Sequence, residues 1–246
     1  MQNEMNLAQI EEAIKCLDYC SEAYDTCCDN PFSITVENAR AIVVPTKGCD
    51  GSSCPFETTI YIAIAGTDDV KDVRMDRRLG RTTVNSGNGS MKIHRGFMQY
   101  TELLHEAIIG RINLMVGPDW MHDSSIRIVV TGHSLGGAAS VILAVKEYGL
   151  CRRQNAMYLF GCPKPGNYDL STYIKRNFTG HIWNIQNTGD QVVTGLPWPF
   201  YTHCGHVVKI GKGWDIKPDH LLREYKRSML SYLAERKKSC NQALIG

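Results

Sequence analysis

The sequence predicts an α/β fold with a predominantly parallel central sheet and helices on both faces. Three observations carry that expectation. Residues 58–65 read Thr-Thr-Ile-Tyr-Ile-Ala-Ile-Ala, a β-branched and small apolar run without polar alternation, which suits a strand buried on both faces. Residues 126–145 begin as a similar run, break at Gly132-His133-Ser134-Leu135-Gly136, and resume as a helix of small residues. Helix and strand candidates then alternate through the middle of the chain, the order that builds parallel sheets. A chain of 246 residues is long enough for one such domain with a large core and short for two. No linker composition interrupts it, so residues 1–246 are expected to form a single domain.

An amphipathic helix is expected at about residues 7–26, where Leu7, Ile10, Ile14, Leu17 and Tyr24 recur at helical spacing between charged residues. Strands follow at 33–37, 39–44 and 58–65, with a turn-rich loop at 45–55. A charged stretch to Arg81 and a Gly/Asn/Ser segment to Ser90 come next, and residues 70–92 read together as a lid-like segment. A second long helix is predicted at 98–116, ending at Gly117-Pro118. Beyond the strand and helix around Ser134, strands are predicted at 157–160, 181–186 and 207–210, a helix near Leu170 capped by Asp169, and a final helix at 218–234.

Composition excludes several classes. The chain carries 27 basic and 25 acidic side chains, a net charge of +2, far from the basic face that nucleic-acid binding requires, so no nucleic-acid partner is expected. The first residues are polar and acidic, and nowhere do roughly 18 apolar residues run together. Neither a signal peptide nor a transmembrane segment is expected, which predicts a cytoplasmic setting and reduced thiols among the 10 cysteines. Cys49 and Cys54, separated by four residues, leave open a zinc site, a small disulfide loop or unrelated thiols. No acidic calcium loop and no phosphate-binding glycine loop are found.

The Gly132-His133-Ser134-Leu135-Gly136 run has the form of a nucleophile elbow, with a strand before it and a helix after it. Such a turn holds the serine in strained backbone, and a Cβ on Gly132 or Gly136 would collide with the adjoining strand or helix. It also points the following helix's positive end and the Leu135 N–H at the reacting atoms, where an oxyanion develops. A serine hydroxyl needs a histidine to take its proton and a carboxylate to orient that histidine. In an α/β-hydrolase the chain order is serine, acid, histidine. Asp190 follows a predicted strand downstream of Ser134 and is favoured over Asp169, Asp215 and Asp219. Among His203, His206 and His220, the last stands in a loop before the final helix and is favoured as the base.

Six segments resemble the class 3 (fungal-type) lipase family, in that family's order over roughly residues 41–225. They are Ala63–Thr67 with acidic residues after it, His94-Arg95-Gly96-Phe97, Gly132–Ala138, Phe160–Asn167, Asn187–Val193, and Asp219-His220 followed by Tyr225. The resemblance implies the triad Ser134, Asp190 and His220, with Thr67 as a second oxyanion donor beside Leu135. It also implies that His203-Cys204-Gly205 is a structural turn, and that the segment around His94 packs beside the nucleophile in a supporting role.

The expected function is therefore hydrolysis of lipid acyl esters through an acyl-enzyme intermediate, with no metal or organic cofactor. Phospholipase A1 or small-ester esterase activity, and a non-catalytic lipase-like interaction protein, are the alternatives; retention of every triad residue argues against the last. Two departures from the family stand out. Ala65 precedes Gly66-Thr67 where the family commonly has arginine, and the lid-like segment is basic, with Lys71, Arg74, Arg77, Arg78 and Arg81 among few apolar residues. The partner is expected to be a lipid or acyl-ester substrate, with transient membrane-surface contact. The basic cluster fits either an anionic surface or a plainly solvated face. Trp198, Phe200 and Tyr201 fit either an acyl pocket or core packing.

Overall fold

The computed structural model describes residues 4–25, 30–48, 56–67, 80–86, 89–152, 155–194, 200–211 and 219–243. Its main sheet has seven strands: β1 (Ser33–Val36), β2 (Ala39–Lys47), β3 (Thr58–Ile64), β6 (Ile126–His133), β7 (Ala156–Phe160), β9 (His181–Asn187) and β11 (His206–Ile210), in the spatial order β1-β2-β3-β6-β7-β9-β11. The first two neighbour pairs are antiparallel, and the four from β3·β6 to β9·β11 are parallel. This is the predominantly parallel sheet that residues 58–65 and 126–133 predicted.

Burial of β3 on both faces decides how the helices arrange. Ile60, Ile62 and Ile64 enter one core, together with Ile128, Val130, Met157 and Leu159. That face is covered by helices α2 (Arg95–Val116), α3 (Leu135–Lys146) and α4 (Tyr168–Asn177). Tyr61, Ala63, Val129, Tyr158 and Phe160 enter the second core, with Ile10, Ala13 and Leu17 of helix α1 (Leu7–Tyr24) and Tyr225 and Met229 of helix α5 (Leu222–Ala243). Alternating side chains along one strand thus serve two cores. Each fully buried aliphatic side chain contributes about 1.5–3 kcal/mol.

Several boundaries differ from the sequence reading. Helix α1 starts with an Asn6–Gln9 capping box and ends at Tyr24, with Asp25 as C-cap, short of residue 26. Helix α2 begins at Arg95, not residue 98, because His94 ends a strand and the chain turns helical at once. Asn167, not Asp169, caps α4, its side chain accepting from the Leu170 N–H. The described part of the final helix runs Leu222–Ala243, beyond residue 234.

The segment read as a lid is described in part. Its described residues form β4 (Arg81–Ser86) and β5 (Gly89–His94), an antiparallel hairpin. The hairpin joins β8 (Gly166–Asn167) and β10 (Tyr201–Thr202) in a second, four-stranded sheet. Ile93 pairs with Gly166, and Met91 and Ile93 sink into the core, so these residues are fixed by packing. Residues 70–79 and 87–88 of that segment, with Lys71, Arg74, Arg77 and Arg78, lie outside the described residues, as do Cys27, Cys28, Cys49, Cys54 and Trp198. No described helix is long and apolar enough to cross a membrane.

Candidate active site

The parallel strands end together, and the chemistry-bearing residues gather at their C-terminal ends, as is general for α/β sheets. Register places Ile64 of β3 against Gly132 of β6, and His133 of β6 against Phe160 of β7. Beyond those ends lie Gly66-Thr67, Ser134, Gly161 and, after β9, Asp190.

Ser134 joins β6 to α3 with φ 58° and ψ −126°, a region in which a non-glycine residue stores about 1–3 kcal/mol of strain. The glycines on either side make the turn sterically feasible. A Cβ on Gly136 would lie 2.0 Å from the Ile64 carbonyl oxygen, and one on Gly132 would lie 2.3 Å from the Gly136 carbonyl. The Ser134 N–H donates to the Phe160 carbonyl at 2.9 Å, which ties the strained turn to β7. Leu135 is the first residue of α3, so its N–H has no acceptor within the helix. Thr67, half-buried at the end of β3, lines a cavity of about 560 Å³ together with Leu135 and Gly96. The two groups read as oxyanion donors therefore border one space.

Ser134, His220 and Asp190 form a continuous hydrogen-bonded chain. The Ser134 Oγ lies 2.9 Å from His220 Nε2, and His220 Nδ1 lies 2.9 Å from Asp190 Oδ2. All three are buried, at 2 %, 7 % and 2 % exposure. A carboxylate can only accept, so Nδ1 carries the hydrogen and the Nε2 lone pair faces the Ser134 hydroxyl. Burial alone would raise the Asp190 carboxyl. The hydrogen bond and charge of His220, with further bonds from the Tyr225 hydroxyl and the Val192 N–H, outweigh it and hold the group below the usual carboxylate range.

His203 is held elsewhere, with Nε2 3.0 Å from the Val193 carbonyl and Nδ1 3.5 Å from Asn184 Nδ2. Burial, with Lys164 nearby, lowers it to about 4. His206 is exposed on β11 beside Trp183. His94 is buried and packs on Phe97 at a ring separation of 4.2 Å. Tyr201 is buried, whereas Phe200 is 83 % exposed with φ +79°, so these two of the three aromatic residues read as acyl pocket or core do not share one environment.

Sequence reasoning missed three contributors. The Tyr225 hydroxyl donates to Asp190 Oδ2 at 2.7 Å; Tyr225 belongs to a family-like segment, but nothing in its spacing assigned that role. Gly161, with φ +57°, leaves room for the pair: a Cβ there would stand 3.1 Å from both Asp190 Oδ2 and His220 Nδ1. Tyr24, 109 residues from His133, meets that ring with its hydroxyl, and no local pattern signals a contact of that range.

A doubly wound sheet with a serine elbow and a His–Asp pair at the strand ends defines the α/β-hydrolase class. Residues 61–199 match the family described as Lipase (class 3), and the chain belongs to that family. It is 28 % identical over 123 residues to a lipase of Rhizomucor miehei, covering 48 % of this chain and 32 % of that protein. It is 26 % identical over 140 residues to a secreted mono- and diacylglycerol lipase of Fusarium solani, covering 56 % and 39 %. The match thus spans about a third of the length of these relatives. Among solved structures, the native propeptide complex of Rhizomucor miehei lipase superposes with a TM-score of 0.61 at 20 % identity, over 84 % of this chain and 70 % of that one. A triacylglycerol lipase from Penicillium expansum does so with a TM-score of 0.61 at 20 % identity, over 83 % and 80 %. Both show the same fold.

The relatives overturn the cytoplasmic setting expected from the N-terminal composition. Those of Fusarium solani and Malassezia globosa are both named as secreted, which points outside the cell.

Proposed function

We propose that the chain is a serine carboxylic-ester hydrolase acting on lipid acyl esters. The observation that carries this reading is the unbroken chain Ser134 Oγ–His220 Nε2 and His220 Nδ1–Asp190 Oδ2, each link 2.9 Å. The names of the relatives, which include secreted mono- and diacylglycerol lipases, support a glyceride as the substrate class.

In this mechanism His220 removes the proton as Ser134 Oγ attacks the ester carbonyl carbon, and Asp190 stabilises the resulting imidazolium. The N–H groups of Leu135 and Thr67 receive the oxyanion, and the start of α3 adds its positive end. The imidazolium then protonates the leaving alkoxide oxygen, which departs as the alcohol. Water, activated by the same histidine, hydrolyses the acyl-serine and returns the free acid. Losing one oxyanion donor costs about 2.7–4 kcal/mol of transition-state stabilisation. Exposed Phe200 supports transient contact with a lipid surface, where an aromatic side chain inserts readily. Packing of the described elements about one main sheet supports a single domain over 1–246.

The test is labelling of the purified protein by a fluorophosphonate probe beside Ser134→Ala, followed by hydrolysis of glyceride esters of graded chain length. Labelling that vanishes in Ser134→Ala, with ester turnover, is the expected result. A folded wild-type protein that neither labels nor turns over esters, in the presence or absence of lipid, overturns the reading.

A further inference from the structure

The elbow residue His133 has both ring nitrogens engaged. Its Nε2 lies 2.7 Å from the backbone carbonyl oxygen of His220, and its Nδ1 lies 3.0 Å from the Tyr24 hydroxyl. A carbonyl can only accept, so Nε2 carries the hydrogen, Nδ1 is the lone-pair nitrogen, and Tyr24 donates to it. The two histidine rings pack with centroids 4.7 Å apart. Tyr24 itself stands where three parts of the site meet. A Cβ on Gly66, next to Thr67, would lie 2.3 Å from its hydroxyl, and its carbonyl is held by the Arg40 guanidinium at 2.8 Å.

We infer that His133 and Tyr24 are positioning residues for the base, a tether from helix α1 through the elbow to the backbone of His220. The inference rests on the ester-hydrolase reading of Ser134, Asp190 and His220. Asp190 fixes the His220 ring from its Nδ1 side, but that bond alone leaves the loop free to carry the ring away from Ser134. The bond from His133 fixes the loop's backbone at the same residue. Tyr24 selects the tautomer: without its hydroxyl, no described residue holds the Nδ1 lone pair, and the alternative tautomer would turn an Nε2 lone pair toward the His220 carbonyl. The ring must also stay neutral, because a cation at that distance would oppose formation of the His220 imidazolium during attack. Burial of the ring serves this. Tyr24 lies before, and His220 after, the stretch 61–199 that matches the family, so the tether brings the start and the end of the described chain to the reacting atoms.

The test compares Tyr24→Phe with Tyr61→Phe. Tyr61 also anchors α1, its hydroxyl donating to Glu12 Oε1 at 3.1 Å, but it does not touch His133. Fluorophosphonate labelling rate, kcat and KM on a soluble acyl ester, and melting temperature are measured for both. Tyr24→Phe is expected to lower the labelling rate and kcat about tenfold, the effect of one lost hydrogen bond, with KM within about twofold. Tyr61→Phe is expected to keep both rates within about twofold. Nitrogen-15 shifts of the wild type are expected to show His133 as the Nε2–H tautomer from about pH 5 to 8. Unchanged rates in Tyr24→Phe, an equal loss in Tyr61→Phe, failure of Tyr24→Phe to fold, or an Nδ1–H tautomer would each overturn the inference. A wild type that does not label overturns the hydrolase reading, and the positioning role with it.

Discussion

The Tyr225 hydroxyl donates to Asp190 Oδ2 at 2.7 Å, the same oxygen that receives His220 Nδ1 at 2.9 Å. Tyr225 also accepts from the Asn187 N–H at 3.1 Å. The acid is therefore fixed by three side-chain or backbone donors, counting the Val192 N–H on Oδ1 at 2.8 Å. Tyr225→Phe should lower kcat about tenfold and stability by about 1–2 kcal/mol, since it removes a bond to the carboxylate and strands the buried Asn187 N–H. Asp190→Asn should keep the fold and lower kcat about 10⁴-fold, the scale seen when a triad aspartate loses its charge. Steady-state kinetics and urea unfolding of both variants check this; a Tyr225→Phe enzyme with unaltered kcat refutes it.

Gly136 and Gly161 should fail in different ways. Gly136→Ala places a Cβ 2.0 Å from a backbone oxygen of β3, which strand and helix cannot relieve separately, and folded protein should not be recovered. Gly161→Ala meets only side-chain atoms, at 3.1 Å, with φ +57°. It should fold with about 1–2 kcal/mol less stability yet lose most of its labelling rate, because the displaced atoms belong to Asp190 and His220. Circular dichroism and probe labelling of the two variants distinguish these outcomes.

Helix α1 is fastened to the sheet by a half-buried ion pair. Glu12 binds the Arg127 guanidinium through both oxygens, Oε2 at 2.8 Å from Nη2, while Tyr61 and Tyr158 donate to it at 3.1 and 2.7 Å. Burial would raise the Glu12 carboxyl, but Arg127 and the two tyrosines hold it below its usual range. A depressed carboxylate stabilises the fold above the ordinary carboxylate range and loses that contribution as pH falls through the folded value. Arg127→Met should cost about 1–3 kcal/mol at pH 7, because it leaves a half-buried carboxylate without its charge-assisted hydrogen bonds. Glu12→Leu combined with Arg127→Met should recover part of that loss in urea unfolding, and a double variant no more stable than Arg127→Met would contradict this account.

Two neutral histidines, buried His133 and half-buried His203, weaken the fold in acid above that range. Burial, reinforced by the neighbouring His220, lowers His133 to about 3, and His203 is lowered to about 4. In the unfolded chain both titrate near 6.5. Between those values the unfolded state binds more protons, so stability falls as pH drops from about 6.5 toward 4, by about 3 kcal/mol for His133 alone at pH 4. His203→Asn should reduce the total loss between pH 6.5 and 4 measured by urea unfolding. An identical pH slope in the variant would exclude His203 as a contributor.

How much of this was legible in the sequence varies with the range of the interaction. The elbow was readable because its pattern is local: Gly132, Ser134 and Gly136 span five residues, although the clash that forbids a Cβ on Gly136 comes from Ile64 of β3. The strand before Ser134 and the two-faced strand at Thr58–Ile64 were readable from their apolar runs. The hairpin Arg81–Ser86 and Gly89–His94 was not. Its residues are polar and glycine-rich, and what makes them strands is pairing with Gly166 and, beyond it, Thr202, partners 73 and more residues away.

The sequence by itself determined the class of fold, the nucleophile's turn and the order of serine, acid and histidine, because propensity, burial pattern and steric exclusion act over a few residues. Only the tertiary structure decided which carboxylate and which histidine meet Ser134, and that Tyr24, Tyr225 and Gly161 shape that meeting. Those contacts join segments 29 to 109 residues apart, and their existence depends on the register of parallel strands, which brings the ends of β3, β6, β7 and β9 to one edge of the sheet.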